Sequence, residues 1–263
     1  MRSAGGRLPG KSIAVLIAIG ITAGLFSGLF GVGGGILLVP LLMWWARMDF
    51  LRASATSLAA ILPIAAFSAI PYVAAGYFSP LVALLTALGA AGGAQLGVAL
   101  RARASVFALE LSFGVFLVGI AIALTVLEVS RGAELEWDFR TASLLAACGV
   151  ASGLAASVFG AGGGVFLVPL LMIVGVGDLA AKSASLIALI PASIIPSIQN
   201  LRSGTTLLPQ LTVIGLSGVV CAPLGALWAQ VLDPRVSAIT VATLAIIFAL
   251  IVLARSLVRF KRS

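Results

Sequence analysis

Long apolar runs separated by short polar punctuation set the rhythm of this chain. Six of them, Thr56–Ala75, Leu81–Leu100, Val106–Leu127, Ser183–Leu201, Leu207–Val231 and Val236–Ala254, stand uninterrupted. Each has roughly the 20 residues that a helix rising about 1.5 Å per residue needs to cross a hydrocarbon core. Two further runs, Ser12–Ala46 and Thr141–Val174, are broken by glycines. At about 35 apolar residues each, they are too long for one tidy crossing and barely long enough for two. The pattern predicts an all-α integral membrane protein.

The broken runs are copies of one another. Gly24–Met43 reads GLFSGLFGVGGGILLVPLLM, and Gly153–Met172 reads GLAASVFGAGGGVFLVPLLM. After a one-residue slip the correspondence resumes, with Ser57-Leu58 on Ser185-Leu186, Pro63 on Pro191, Gly76 on Gly204 and Gly97 on Gly225. Duplicated apolar halves with a glycine break at matching places are characteristic of transporters that bind cargo between their repeats. The expected division is a first membrane repeat at 1–127, a polar linker at 128–140 and a second repeat at 141–263. The linker acids are unpatterned and read as a solvated connector rather than a metal site. The N-terminal run mimics a signal peptide, but its internal copy cannot be a leader, so both are expected to be structural.

Charge decides between two topologies. Only 9% of the 263 residues are charged and 61% are hydrophobic, against about 25% charged in a soluble domain. The net charge of +8 gathers at the ends, on Arg2, Arg7 and Lys11 and on Arg255, Arg259, Lys261 and Arg262. This placement suits anionic lipid and argues against nucleic acid. If each broken run makes one net crossing, the positive-inside bias is weak. If each dips in and returns to its side of entry, most Lys and Arg fall inside and the net-acidic linker outside, which is the stronger agreement. Each half then makes an odd number of crossings. The fold expected is therefore a pair of inverted repeats, each a glycine-broken, re-entrant segment followed by three transmembrane helices.

Chemistry is sparse. There is no histidine, and Cys148 and Cys221 sit in apolar runs as small hydrophobes, so no metal, cofactor or catalytic residue is expected. The sharpest signals are Gly31, Gly33, Gly34 and Gly35 in FGVGGG, and Gly160, Gly162, Gly163 and Gly164 in FGAGGG. Serial glycines disfavour helix, and unwound backbone at membrane depth must face protein or a wet cavity. The short helices expected to begin at Ile36 and Val165 would aim N–H groups at an anion. Close helix packing is the competing reading; it is preferred for the ladders Gly20, Gly24, Gly28 and Gly89, Gly93, Gly97. Thr56-Ser57 and Ser183-Ala184-Ser185, expected to open the next crossings, could offer hydroxyls to an oxyanion or simply cap helices. Lys182 could complement an anion, pair with Asp178 four residues earlier, or snorkel to the membrane edge. Arg202, after Gln199 and Asn200, reads as an interfacial anchor in preference to a residue lining a pathway, and Glu110 as a helix acid at the cytoplasmic edge in preference to a site of proton coupling.

The doubled F-G-x-G-G-G, the downstream L-x-V-P-L-L and the start at Thr56-Ser57 resemble the TauE/SafE sulfite exporter family over about Ile13 to Ala254. One departure is Ala184-Ser185 where the first half has Thr56-Ser57. The resemblance implies a multi-pass carrier of the bacterial cytoplasmic membrane for sulfite, sulfoacetate or other sulfur-containing or organic anions. The expected function is secondary transport of a small sulfur-containing oxyanion or organosulfonate, outward, with substrate contacts at the glycines named and at Thr56, Ser57, Lys182 and Ser185. An anion channel and a carrier of a non-sulfur organic anion are the alternatives. No GxxxxGK[ST] motif is present, so ATP coupling within the chain is not expected. The lipid bilayer is a partner, nucleic acid is not, and a homo-oligomer and a coupling proton or sodium ion are left open.

Overall fold

A computed structural model describes residues 10–126, 135, 137–160, 162–206 and 208–260. The expectations for the basic N-terminal residues before Gly10 and for most of the linker lie outside them. Ten helices follow in order: α1 (Gly10–Phe30), α2 (Gly35–Trp44), α3 (Phe50–Ala74), α4 (Pro80–Arg101), α5 (Val106–Val126), α6 (Phe139–Phe159), α7 (Gly164–Val174), α8 (Asp178–Arg202), α9 (Leu208–Val231) and α10 (Pro234–Phe260). Long and short helices fall in the same order in α1–α5 and in α6–α10.

Eight of the ten are long and apolar enough to cross a membrane, where the runs alone gave six. The extra two are α1 and α6. The glycines fall just beyond the C-terminal ends of these helices, so each broken run is one full-length helix followed by a short one, α2 or α7.

α3 and α8 begin at Phe50 and Asp178, well before Thr56 and Ser183. Asp49 caps α3 by accepting a 2.9 Å hydrogen bond from the Arg52 N–H, and Gly177 stands at the start of α8. Thr56-Ser57 and Ser183–Ser185 therefore lie inside helices, and the capping reading of these hydroxyls is corrected. Arg52, Asp178 and Lys182 had lowered the local hydropathy enough to hide the first turns.

Small residues face inward and large ones outward. On α4, Gly89, Ala90, Gly93, Ala94 and Gly97 are buried while Leu84, Leu88 and Leu96 are exposed. In lipid, apolar side chains gain nothing by hiding from the solvent, so close backbone approach drives association instead. The ladder glycines do this as read. Gly20, Gly24 and Gly28 of α1 meet Ile214, Gly218 and Ala222 of α9, while Gly89, Gly93 and Gly97 of α4 meet Ala146, Val150 and Leu154 of α6. In both pairs the numbers rise together, so the paired helices run parallel.

The corresponding helices α3 and α8 run oppositely. Thr206, just past the end of α8, donates to the Ala55 carbonyl near the start of α3 at 3.4 Å. Early α5 likewise meets late α10, where Gly114 packs on Leu253. α1 and α3, by contrast, end side by side: the Ser27 and Ser68 hydroxyls are 2.8 Å apart, and Tyr72 donates to the Gly28 carbonyl at 2.6 Å. The chain reverses after α1, which brings Gly34 beside the Ala23 carbonyl.

Candidate functional site

The two glycine breaks meet. A methyl on Gly164 would lie 2.9 Å from the Gly31 carbonyl oxygen and 2.9 Å from Val32 Cα; on Gly162 it would lie 3.3 Å from the Val32 carbonyl oxygen. Ile61 of α3 and Leu189 of α8, which correspond in the two halves, both pack beside Gly33. The sequence therefore brings Gly31, Gly33, Gly160, Gly162 and Gly164 together between α3 and α8.

Most of these glycines are required by their backbone. Gly31, Gly33 and Gly34 have φ of 69°, 72° and 74°, and Gly160 and Gly162 have 68° and 70°. Side chains rarely adopt this left-handed region. Gly35 and Gly164 are helical and Gly163 has φ −64°, but Gly163 lies against the Ser152 backbone and Gly164 against Gly31 and Val32, which leaves no room for a side chain at either. The short helices begin one residue earlier than expected, at Gly35 and Gly164. Both packing and backbone conformation thus demand the serial glycines.

At the first break, Ser185 and the pair of Asp178 and Lys182 are hydrogen-bonded, while the Ser183 Oγ next to Lys182 is buried without a partner among the described residues. The Ser185 hydroxyl donates to the Gly31 carbonyl at 2.8 Å, so its proton is already committed. Lys182 does not snorkel: it is 2% exposed, and its backbone and Cβ abut Gly31. Its ammonium donates to Asp178 at 3.0 Å and to Ser237 of α10 at 3.1 Å, which bears out the proposed pairing with Asp178. Asp178, Lys182, Ser237, Phe30, Val32 and Val165 are among the residues lining a cavity of about 20 Å³, enough for one water-sized group.

At the second break, polar groups lack partners. Ser54, which corresponds to Lys182, lies against Gly160. The buried Oγ atoms of Ser54, Ser57 and Ser157 have no hydrogen-bond partner among the described residues. Such buried orphan groups call for an explanation, and a bound polar species is one. Arg101, read from the sequence only as a topological charge, ties the ends of this region together. Its guanidinium donates to the Leu51 carbonyl at 3.2 Å and to the Ser157 carbonyl at 3.4 Å. Its place in the last turn of a glycine-ladder helix was the one sequence signal available.

Other expectations fall outside the junction. Gln199 and Arg202 are exposed at the end of α8. Glu110, the fifth residue of α5, is 1% exposed, buried in protein rather than set at a solvated edge. Thr56 is buried beside Ser57.

Among the described residues the paired helix breaks sit inside an all-helical bundle with eight helices long and apolar enough to cross a membrane, which defines the class as a multi-pass membrane protein. The chain belongs to the sulfite exporter TauE/SafE family, whose profile matches residues 2–124 and 145–263. It is similar to a "Probable membrane transporter protein" of Xylella fastidiosa (strain 9a5c), 33% identical over 40% of this chain and 41% of that protein. It is also similar to the "Probable membrane transporter protein YunE" of Bacillus subtilis (strain 168), 24% identical over 73% of this chain and 80% of the relative. A third relative, from Haemophilus influenzae, is 29% identical over 61% of each chain. The first of these matches spans only about two-fifths of its relative's length.

Proposed function

We propose that this protein is a secondary carrier of a small sulfur-containing anion, a sulfur oxyanion or an organosulfonate, moving it outward across the bacterial cytoplasmic membrane. The anion occupies the junction of the two breaks. The observation that carries this reading is the direct meeting of two unwound segments, one from each half, beside the buried Ser54 hydroxyl, which has no partner among the described residues. Hydroxyls and backbone N–H groups can hold an oxyanion without a fixed counter-charge, which favours release. The breaks pack directly on each other and would have to part for a continuous pore, which favours a carrier over a channel.

The halves, 1–127 and 141–263, are inverted about the membrane plane. The opposed directions of α3 and α8 support this, since a two-fold axis that reverses corresponding helices lies across them. α1 and α3 point the same way, so the chain from Gly31 to Asp49 returns toward the side α1 entered; this supports a re-entrant α1–α2 segment.

Purified protein is titrated with sulfite, sulfate, thiosulfate, sulfoacetate, taurine and chloride, and binding is read by calorimetry. Saturable binding of a sulfur anion in preference to chloride is expected. Equal, weak binding of all six, or none, would sink the proposal. For topology, single cysteines replace Asp49, Arg103 and Trp137 in a background lacking Cys148 and Cys221. An impermeant thiol reagent applied outside should modify position 137 alone. Outside labelling of 49 with protection of 137 would remove the inverted arrangement.

A further inference from the structure

The ion pair of Asp178 and Lys182 is a charged device that the fold does not require. The corresponding positions in the first half are Phe50 and Ser54, and the counterpart of Ser237 is Leu109. There the space is closed by rings: Phe50 and Phe113 have centroids 6.0 Å apart, and Phe113 and Phe159 5.5 Å. The same backbone is thus stable with an apolar filling. Burying two charges instead is costly, and ionisable groups inside a membrane usually serve function.

Position gives the pair its meaning. Lys182 packs on Gly31 through its own backbone and Cβ, and Ser185, one turn later, donates to the Gly31 carbonyl. Asp178, Lys182 and Ser237 line the same small cavity as Val32 of the first break. The polar groups that share this cavity with Asp178 are Lys182 on α8, which is bonded to it, and Ser237 on α10, which is bonded to Lys182. Any change in the pair is felt at the first break.

We propose that Asp178 is the site of a coupling proton, and that its protonation transfers the Lys182 ammonium from the carboxylate to the transported anion. This rests on the carrier reading above. The proton comes from water on the side to which the site is open, and it adds to the Asp178 carboxylate to give the neutral acid. Lys182 stays an ammonium throughout. Empty, the pair sums to zero charge. Loaded with one proton and one monoanion it sums to zero again, so the loaded site crosses no net charge. Release reverses both steps on the other side. Because linkage is reciprocal, proton and anion each tighten the binding of the other.

The probe is methanesulfonate, a monoanion that does not titrate between about pH 5 and about pH 8. Its affinity for the purified protein should rise by up to about tenfold per unit fall in pH, the slope for one proton taken up per anion. Asp178→Asn should abolish that slope and Asp178→Glu should restore it, which a purely structural salt bridge would not do. Proton uptake on adding methanesulfonate to weakly buffered wild-type protein, followed with a pH dye, tests the idea even if a variant fails to fold. A flat wild-type profile without proton uptake overturns the proposal, as does an unchanged slope in Asp178→Asn. Absence of sulfonate binding at every pH overturns the carrier reading and this proposal together, whereas pH-independent binding overturns only this one.

Discussion

The two breaks share a sequence motif and differ in everything placed around it. At the first, the Lys182 ammonium is bonded to Asp178 and Ser237, and Ser185 separately donates to the Gly31 carbonyl. At the second, Ser54 lies against Gly160 with its buried hydroxyl unpartnered among the described residues, and a half-buried arginine donates to the Ser157 carbonyl. The glycine hinge was thus duplicated while the chemistry diverged. One break is packed against a buried ion pair, and the other against a serine in the corresponding position.

The comparison is broken most severely at the glycines. Gly34→Val meets both a left-handed φ of 74° and the Ala23 carbonyl, at 2.6 Å from the added Cβ. Gly163→Val meets contact alone, since its φ is −64°. Transport in proteoliposomes should be lost in both while the protein still inserts, and Gly34→Val should lose more thermal stability, by about 1–3 kcal/mol of extra backbone strain. Near-normal transport by both would leave the glycines as packing residues only.

The ion pair comes next. Lys182→Ala strands a buried carboxylate and should cost about 3–5 kcal/mol in detergent unfolding. Asp178→Phe with Lys182→Ser, which copies the first half, should recover most of that loss. A double variant as unstable as the single one would mean that the halves are not interchangeable there.

Serines give the finest distinction. Ser185→Ala leaves the Gly31 carbonyl without its donor and should destabilise by about 1–3 kcal/mol. Ser57→Ala removes a hydroxyl with no protein partner, so stability should change little while anion affinity falls by about 1 kcal/mol. Reversed outcomes would exchange the roles assigned to the two breaks.

Much of this was legible in the sequence because lipid packing writes in glycine. The ladders at Gly20–Gly28 and Gly89–Gly97 fall on the helix contacts, and the spacing of Asp178 and Lys182 predicted their bond. The starts of α3 and α8 were not legible. Hydropathy treats Arg52, Asp178 and Lys182 as solvent-facing, whereas the last two neutralise each other inside. Arg101 was missed for a related reason: its partners are backbone carbonyls of α3 and α6, and no residue identity announces a carbonyl.

The parallel pairing of α1 with α9 also imposes a schedule on biosynthesis. Ribosomes deliver α1 well before the surface it closes on, from Ile214 to Ala226, which arrives only after seven intervening helices. For most of synthesis the glycine face of α1 must wait in the bilayer, or in the insertion machinery, without its mate. α4 and α6 are separated only by α5 and the linker, so their pairing can form early. Assembly would then proceed from the middle of the chain outward, with the α1–α9 and α5–α10 seams closing after the α4–α6 pair.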